Sequence, residues 1–140
     1  MTKEELKSIL YLDQLINSKL RQLDQLKAYR ARLPAGSSDT GPVQSGLSDP
    51  TATTAVKIAT LDQSIVEDID KLVDLKAEAR DLFRGLDGKL HLRVVMEMRY
   101  LECMPWSRIA EFLHYGPRNV FAMHSRALDI LFGGDSIGRD

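Results

Sequence analysis

The chain of 140 residues has a single cysteine, no long apolar run and almost no net charge, and each of these features limits the classes of protein to which it can belong. Its single cysteine, Cys103, excludes an internal disulfide, which fits a reducing cytoplasm better than a secreted scaffold. No apolar run approaches the roughly 18 residues that a membrane span needs, and the N-terminus is charged from Lys3 onward. We therefore predict a cytoplasmic protein without a membrane partner, in which Cys103 is a buried structural thiol.

The sequence also lacks the residue patterns that catalysis or cofactor binding needs. Ser107, His114 and Asp129 have the spacing of ordinary helix and turn residues. Cys103, His114 and His124 are too far apart for the short paired spacing of a structural zinc site. No Gly-rich loop precedes a helix in a nucleotide-binding context. We predict a protein that is not an enzyme and has no metal and no cofactor.

The sequence also has no large excess of positive or negative charge, since its formal net charge is -1 at pH 7. This balance counts against the strongly basic composition that favours non-specific phosphate binding. The charge is unevenly distributed: residues 2–33 carry seven Lys or Arg against four Asp or Glu, residues 55–86 five against seven, and residues 88–132 six against four. The C-terminal part is therefore mildly basic, and the two earlier segments have opposite signs.

Two long segments carry apolar residues at steps of three and four, apart from one longer gap between Leu26 and Leu33, and this is the period of an amphipathic helix. The first helix is predicted from Thr2, which forms a capping-box pattern with Glu5, to Leu33, and Pro34 ends it. The second is predicted over residues 55–86. Their stripes are Leu6, Ile9, Leu12, Ile16, Leu20, Leu23, Leu26 and Leu33, and then Ile58, Leu61, Ile65, Ile69, Leu72, Leu75, Ala79, Leu82 and Leu86.

Residues 34–54 have the composition of a flexible linker, with three Gly, three Pro, eight Ser or Thr and no Lys, Arg or Glu. A coil of this length spans roughly 25 Å, whereas parallel packing of the two helices requires a reach of about 48 Å. We therefore predict an all-α fold in which residues 1–87 form a long antiparallel, coiled-coil-like hairpin. Because two helices leave apolar surface uncovered, either the C-terminal domain packs on them or a second chain completes a four-helix bundle. We predict the second arrangement, a homodimer formed through the N-terminal helices.

Residues 88–132 are predicted to form a domain that contains a helix-turn-helix, followed by a disordered tail over residues 133–140. A first helix leads into Trp106, which we interpret as a core anchor. Two short helices follow over residues 107–131, and Ala110 and Val120 lie where they cross. The turn runs from His114 to Gly116, with Gly116 as the N-cap and Pro117 at the first position of the second helix.

The second short helix has an inward apolar stripe, made of Val120, Met123, Ala127, Leu128 and Leu131. Its other face would meet DNA, because an α-helix fits the major groove and Arg and Asn pair there with guanine and adenine. We predict that Arg118 and Asn119 read bases, while Arg108, Arg126 and Lys89 hold phosphates. The full predicted set is Lys89, Arg108, Arg118, Asn119, Phe121, Ala122, Ser125 and Arg126. Alternatively, the two helices simply complete an all-helical domain.

The run VVMEMRYLECMPWSRIAEFLHYGPRNVFAMHSRALDIL resembles, in its arrangement, the region-four-like domain of sigma factors. Together with KLVDLKAEARDLFRGLDG and VQSGLSDPTATTAVKI, it resembles phage and prophage late transcriptional regulators of the RinA/ArpU type over nearly the whole chain. The strongest pieces are MRYLE, WSRIA and HSRALDIL. The resemblance implies a phage-encoded, sequence-specific regulator that binds double-stranded DNA near a promoter or a packaging-gene region.

The chain departs from this family pattern at the turn and on the outward face. Such proteins often have Gly where His114 stands and a Ser or Thr cap where Gly116 stands, which predicts a strained or shifted turn. They tend to have polar or basic side chains at the positions of Phe121 and Ala122, so this chain loses base or phosphate contacts there.

Two other functions are open at the level of the sequence. One is a protein-interaction module whose paired helices bind RNA polymerase or a phage assembly factor. The other is a DNA-packaging factor like a small terminase subunit, which acts as a ring-like oligomer. An exposed basic face with Arg108, Arg118 and Arg126 would favour DNA, whereas an exposed apolar patch around Phe121 would favour protein contact.

Overall fold

A computed structural model of the protein describes residues 1–33 and 50–133, and the elements within these ranges are all helical. The prediction of an all-α fold is confirmed. None of these helices is long and apolar enough to cross a membrane. The helices are α1 (Lys3–Arg32), α2 (Pro50–Leu82) with a 3-10 turn (Phe83–Leu86), α3 (Leu90–Met96) with a π turn (Glu97–Leu101), α4 (Trp106–Leu113) and α5 (Pro117–Leu131).

The beginning of α1 was predicted correctly, but that of α2 was not. The Thr2 amide donates to Glu5 Oε1 at 2.8 Å and the Glu5 amide donates to Thr2 Oγ1 at 3.1 Å, which is the expected capping box. The predicted linker extended to residue 54, whereas residues 50–54 belong to α2. Pro50 occupies the first helical position, where proline is well tolerated because no intrahelical N–H bond is lost. The Thr54 hydroxyl donates to the Pro50 carbonyl at 2.7 Å. The rest of the linker and the predicted tail beyond Gly133 lie outside the described residues.

The chain divides into two compact units, and the first consists of Gln14–Asp70. Leu23, Ile58 and Ile65 form its buried cluster, with Leu26 and Leu61 packed against it. Lys19 Nζ donates to Ser64 Oγ at 2.6 Å and pairs with Asp68. As α1 proceeds from Lys19 to Leu26, its contacts move from Asp68 back towards Ile58 in α2. The two helices therefore run antiparallel in this unit.

Two residues assigned to the apolar stripes are exposed in this unit. The side chains of Leu20 and Ile69 are 40% and 41% exposed. Two helices can bury only the seam that lies between them, and residues one step to the side of that seam remain in contact with solvent. The predicted stripes were therefore wider than the core that the hairpin forms.

The second unit contains Met1–Asp13 and Lys71–Asp140. In it, α5 packs against α3, α4 and the 3-10 turn. A Cβ added to Gly85 would lie 3.0 Å from Leu131 Cδ2, so glycine allows the 3-10 turn to approach α5.

Arg93 forms ion pairs with Asp87 and Glu97, which link the start of α3 to the π turn. The largest fully buried side chains among the described residues are Leu6, Ile9, Phe83, Leu86, Leu92, Val95, Met96, Ile109 and Val120.

The π turn after α3 was not predicted, and it changes which side chains point inward. An uninterrupted α-helix that buries Leu92 and Val95 would also turn Arg99 inward. The wider turn, in which the Glu102 amide donates to the Glu97 carbonyl at 3.0 Å, buries Tyr100 instead and leaves Arg99 only partly buried. Helix geometry of this kind is rare and occurs often at functional sites.

Cys103 differs from its prediction as a buried thiol. It lies just after the π turn with a φ of 55°, and its side chain is only partly buried. Burial still raises the pKa of the thiol, and nearby Asp13 raises it further. A thiol with a raised pKa is a weak nucleophile at neutral pH, so a structural role for Cys103 remains the better interpretation.

Candidate nucleic-acid interface

A three-residue turn from His114 to Gly116 sets the crossing of α4 and α5. The Tyr115 amide donates to the Ala110 carbonyl at 3.0 Å and the His114 amide to the Glu111 carbonyl at 3.3 Å, which is a Schellman motif. His114 has φ 60° and ψ 38°, the left-handed conformation that glycine adopts without strain. The strained turn that the family pattern predicted is therefore localised to this one residue.

We expect His114→Gly to stabilise the protein by about 1 kcal/mol, because it relieves a left-handed conformation of a residue with a Cβ. Tyr115→Gly is the matched control, since φ is not positive at Tyr115 and glycine there only adds freedom to the unfolded chain. The free energies come from urea unfolding followed by circular dichroism. Equal destabilisation by both substitutions would show that the conformation of His114 carries no strain.

The start of α5 follows the sequence prediction. Gly116 is the N-cap with an extended backbone, and Pro117 occupies the first turn. The Gly116 carbonyl accepts the first intrahelical hydrogen bond from the Val120 amide at 3.2 Å. No side chain caps this end, so the positive end of the helix dipole is available to an anionic ligand.

The two faces of α5 differ in burial as the apolar period predicted. Val120, Met123 and Ala127 are buried, and Leu128 and Leu131 are partly buried. All eight residues of the predicted DNA-binding set are exposed. Six share the outward face of α5, and these are Arg118, Asn119, Phe121, Ala122, Ser125 and Arg126. The other two lie on different elements, Lys89 as the N-cap of α3 and Arg108 in the first turn of α4.

Trp106, at the start of α4, connects α5 to the rest of the unit. Its ring is only partly buried, so the interpretation as a buried core anchor was wrong. The Arg99 guanidinium lies 4.4 Å from the ring centroid, and Arg99 Nη1 donates to the Met104 carbonyl at 2.9 Å. The rings of His124 and Phe121 pack edge-on at 4.7 and 5.3 Å. Trp106 is thus held by a cation over its ring and by two aromatic side chains of α5.

The ring contacts continue from Trp106 into the core. His124 stacks on Tyr100 at 5.8 Å, and a hydrogen bond of 2.8 Å joins His124 Nε2 to the Tyr100 hydroxyl. Tyr100 in turn lies 6.3 Å from Phe83. We call this series the aromatic column, which comprises Phe83, Tyr100, His124, Trp106 and Phe121. It runs from a fully buried ring to an exposed one on the outward face of α5.

The aromatic column keeps His124 neutral at physiological pH. Burial, together with the positive charges of Arg99 and Lys7, lowers the pKa of His124 to about 4. Burial also raises the pKa of the Tyr100 hydroxyl. Both groups that share the hydrogen bond are therefore uncharged near pH 7, as their partly desolvated environment requires.

The sequence predicted neither Arg99 nor Tyr100 as part of this arrangement. Both lie in the π turn, for which the apolar pattern contains no signal. No group of three potential metal ligands comes together among residues 1–33 and 50–133. Protein-family models, curated proteins and solved structures contain no match to the chain, so its function has to be inferred from the outward face of α5 and the side chains behind it.

Proposed function

We propose that the protein is a sequence-specific, DNA-binding transcriptional regulator that places α5 in the major groove. The observation that carries this proposal is the division of α5 into two faces. Val120, Met123 and Ala127 are buried on one face of α5. The residues exposed on its other face include Arg118, Asn119, Ala122, Ser125 and Arg126. The sequence resemblance to phage regulators of the RinA/ArpU type supports the same function.

The chemistry of the outward face suits reading of base edges. Arg118 and Asn119 occupy the first turn of α5, and the N-terminal residues of a recognition helix are those that reach the bases. Arginine binds guanine O6 and N7 in a bidentate manner, and asparagine binds adenine N6 and N7. Arg126 lies two turns further along, where contact with a phosphate is more suitable than contact with a base.

The N-terminal helices supply a surface for dimerisation, which is part of the proposal. Within the unit Gln14–Asp70, the side chains of Leu15, Leu20, Val66 and Ile69 are exposed. A second hairpin would cover such residues and complete a four-helix bundle. A two-fold dimer then presents two copies of α5 to half-sites about 34 Å apart, which is one turn of DNA.

The proposal is tested by fluorescence anisotropy with duplex DNA from the region upstream of the gene and with a scrambled duplex, each at two salt concentrations. We expect salt-sensitive binding that prefers the native sequence, with two chains on each duplex. Arg118→Ala should reduce the preference by about 1 to 3 kcal/mol, whereas Arg126→Ala should weaken binding to both duplexes alike. Arg21→Ala, an exposed arginine on α1, is the matched control and should change neither quantity.

The absence of binding at micromolar protein would contradict the proposal, and so would equal losses for Arg118→Ala on both duplexes. A ring of more than two chains on one duplex would instead favour the packaging factor. The observation that favours a protein-interaction module is the exposure of Phe112, Tyr115 and Phe121. That module predicts no DNA binding and association with RNA polymerase or an assembly factor.

A further inference from the structure

We propose that Phe121 recognises the C5 methyl group of thymine in the major groove. This inference rests on the proposed DNA-binding function and names a base that the same surface selects. Thymine is the only base whose major-groove edge carries an apolar group, and phenylalanine is among the side chains that contact it.

The surroundings of Phe121 favour a small apolar ligand over a large apolar partner. Its side chain is 46% exposed, with Arg118 one turn before it and Ser125 one turn after it. The only other large apolar side chain exposed on α5 is Ile130, nine residues further along. One ring between polar side chains is much smaller than the contiguous apolar patches that mark protein interfaces.

The exposed ring of Phe112 does not extend the apolar surface of Phe121, because the two rings lie beside different faces of α4. Phe112 lies six residues after Trp106 in α4, which places it about 240° further around the helix axis. Phe121 packs against Trp106 and therefore lies beside a different face of α4. The small side chain of Ala122, next to Phe121 on the outward face, leaves room for a base edge to approach.

The aromatic column fixes the position of the Phe121 ring before DNA is bound. The ring meets Trp106 edge-on at 5.3 Å and 71°, and Trp106 is held in turn by Arg99 and His124. Arg99 is anchored by its hydrogen bond to the Met104 carbonyl. A side chain that is already immobilised loses little conformational entropy on binding, so even one methyl contact contributes measurably to selectivity.

The test begins with selection of bound sites from a pool of random DNA duplexes. Each thymine of the preferred site is then replaced singly by deoxyuridine, which retains every hydrogen-bonding group and lacks only the methyl. Removal of the contacted methyl should weaken binding of the wild-type protein about fourfold, which corresponds to one buried methyl or methylene group. The same replacement should have no effect on Phe121→Ala.

Two further variants make the result specific to Phe121. Phe121→Gln keeps bulk beside Trp106 without an apolar ring and should also lose the methyl effect, even if alanine loosens the packing. Phe112→Ala removes an exposed ring of the same size from α4 and should retain the fourfold effect. Circular dichroism and thermal melting establish that each variant is folded.

The outcomes separate this inference from the function on which it rests. Sequence-specific binding that depends on Arg118 but is insensitive to deoxyuridine at every position would overturn the inference and leave the proposed function intact. A deoxyuridine effect that persists in Phe121→Gln would assign the methyl contact to another residue and also overturn it. Selection that enriches no sequence would overturn both.

Discussion

Phe83→Ala is expected to lower the free energy of unfolding by about 4 kcal/mol, the largest effect of any substitution considered. Phe83 is 0% exposed and is the largest of the fully buried side chains. It lies in the 3-10 turn that packs against α5, and its ring contacts Tyr100. Alanine leaves a cavity there and removes the inner end of the aromatic column. Urea unfolding monitored by circular dichroism measures the loss.

Phe112→Ala is the matched control for Phe83→Ala. Phe112 is also a helical phenylalanine of the same unit, but its side chain is 60% exposed. Its replacement should change the free energy of unfolding by less than about 0.5 kcal/mol, as is usual for surface positions. Similar losses for the two variants would mean that Phe83 is not in a close-packed environment.

Acidification from pH 6.5 to 4 is expected to remove about 2 kcal/mol of stability through His124 alone, after allowance for its partial exposure to solvent. Burial lowers the pKa of His124 to about 4 in the folded protein. An unfolded histidine titrates near 6.5, so between the two values the unfolded chain binds the additional proton. The contribution is complete above pH 6.5, declines as the pH falls, and is lost below about pH 4.

His124→Gln isolates this contribution from the titration of carboxylates in the same range. Glutamine does not titrate, and its amide can still form a hydrogen bond with the Tyr100 hydroxyl. Urea unfolding of both proteins at intervals between pH 7 and pH 4 should show a difference in stability that shrinks steadily with acidification. A difference independent of pH would contradict the burial of neutral His124 and with it the packing of the aromatic column.

The apolar period was sufficient to predict the long helices and the two faces of α5. Residues such as Val120 and Met123 are buried because they recur on one side of a helix that has only one packing surface. The caps at Thr2 and Gly116 followed from local hydrogen bonding and proline geometry. The exposure of the candidate DNA-binding residues is therefore a direct consequence of the sequence pattern.

The other features of the fold and of the candidate site depend on tertiary packing, which the order of apolar residues along the chain does not specify. Leu20 and Ile69 continue the apolar period but lie outside the seam, because the number of helices around them determines how wide a stripe is buried. The π turn buries Tyr100, whereas an uninterrupted α-helix would turn Arg99 inward, and no residue pattern in the sequence signals this backbone geometry. The contacts of Trp106 with Arg99 and His124 follow from that geometry.

The π turn at residues 97–101 has a consequence for how this sequence can diverge. A helix that widens for one turn accommodates an additional residue, so deletion of a single residue after Tyr100 would restore an ordinary α-helix and turn Arg99 inward in place of Tyr100. Point substitutions in the segment change one side chain, whereas a change of one residue in length would exchange the neighbours of His124. Among descendants of this chain, spacing within the segment should therefore be maintained more strictly than the identity of its exposed residues.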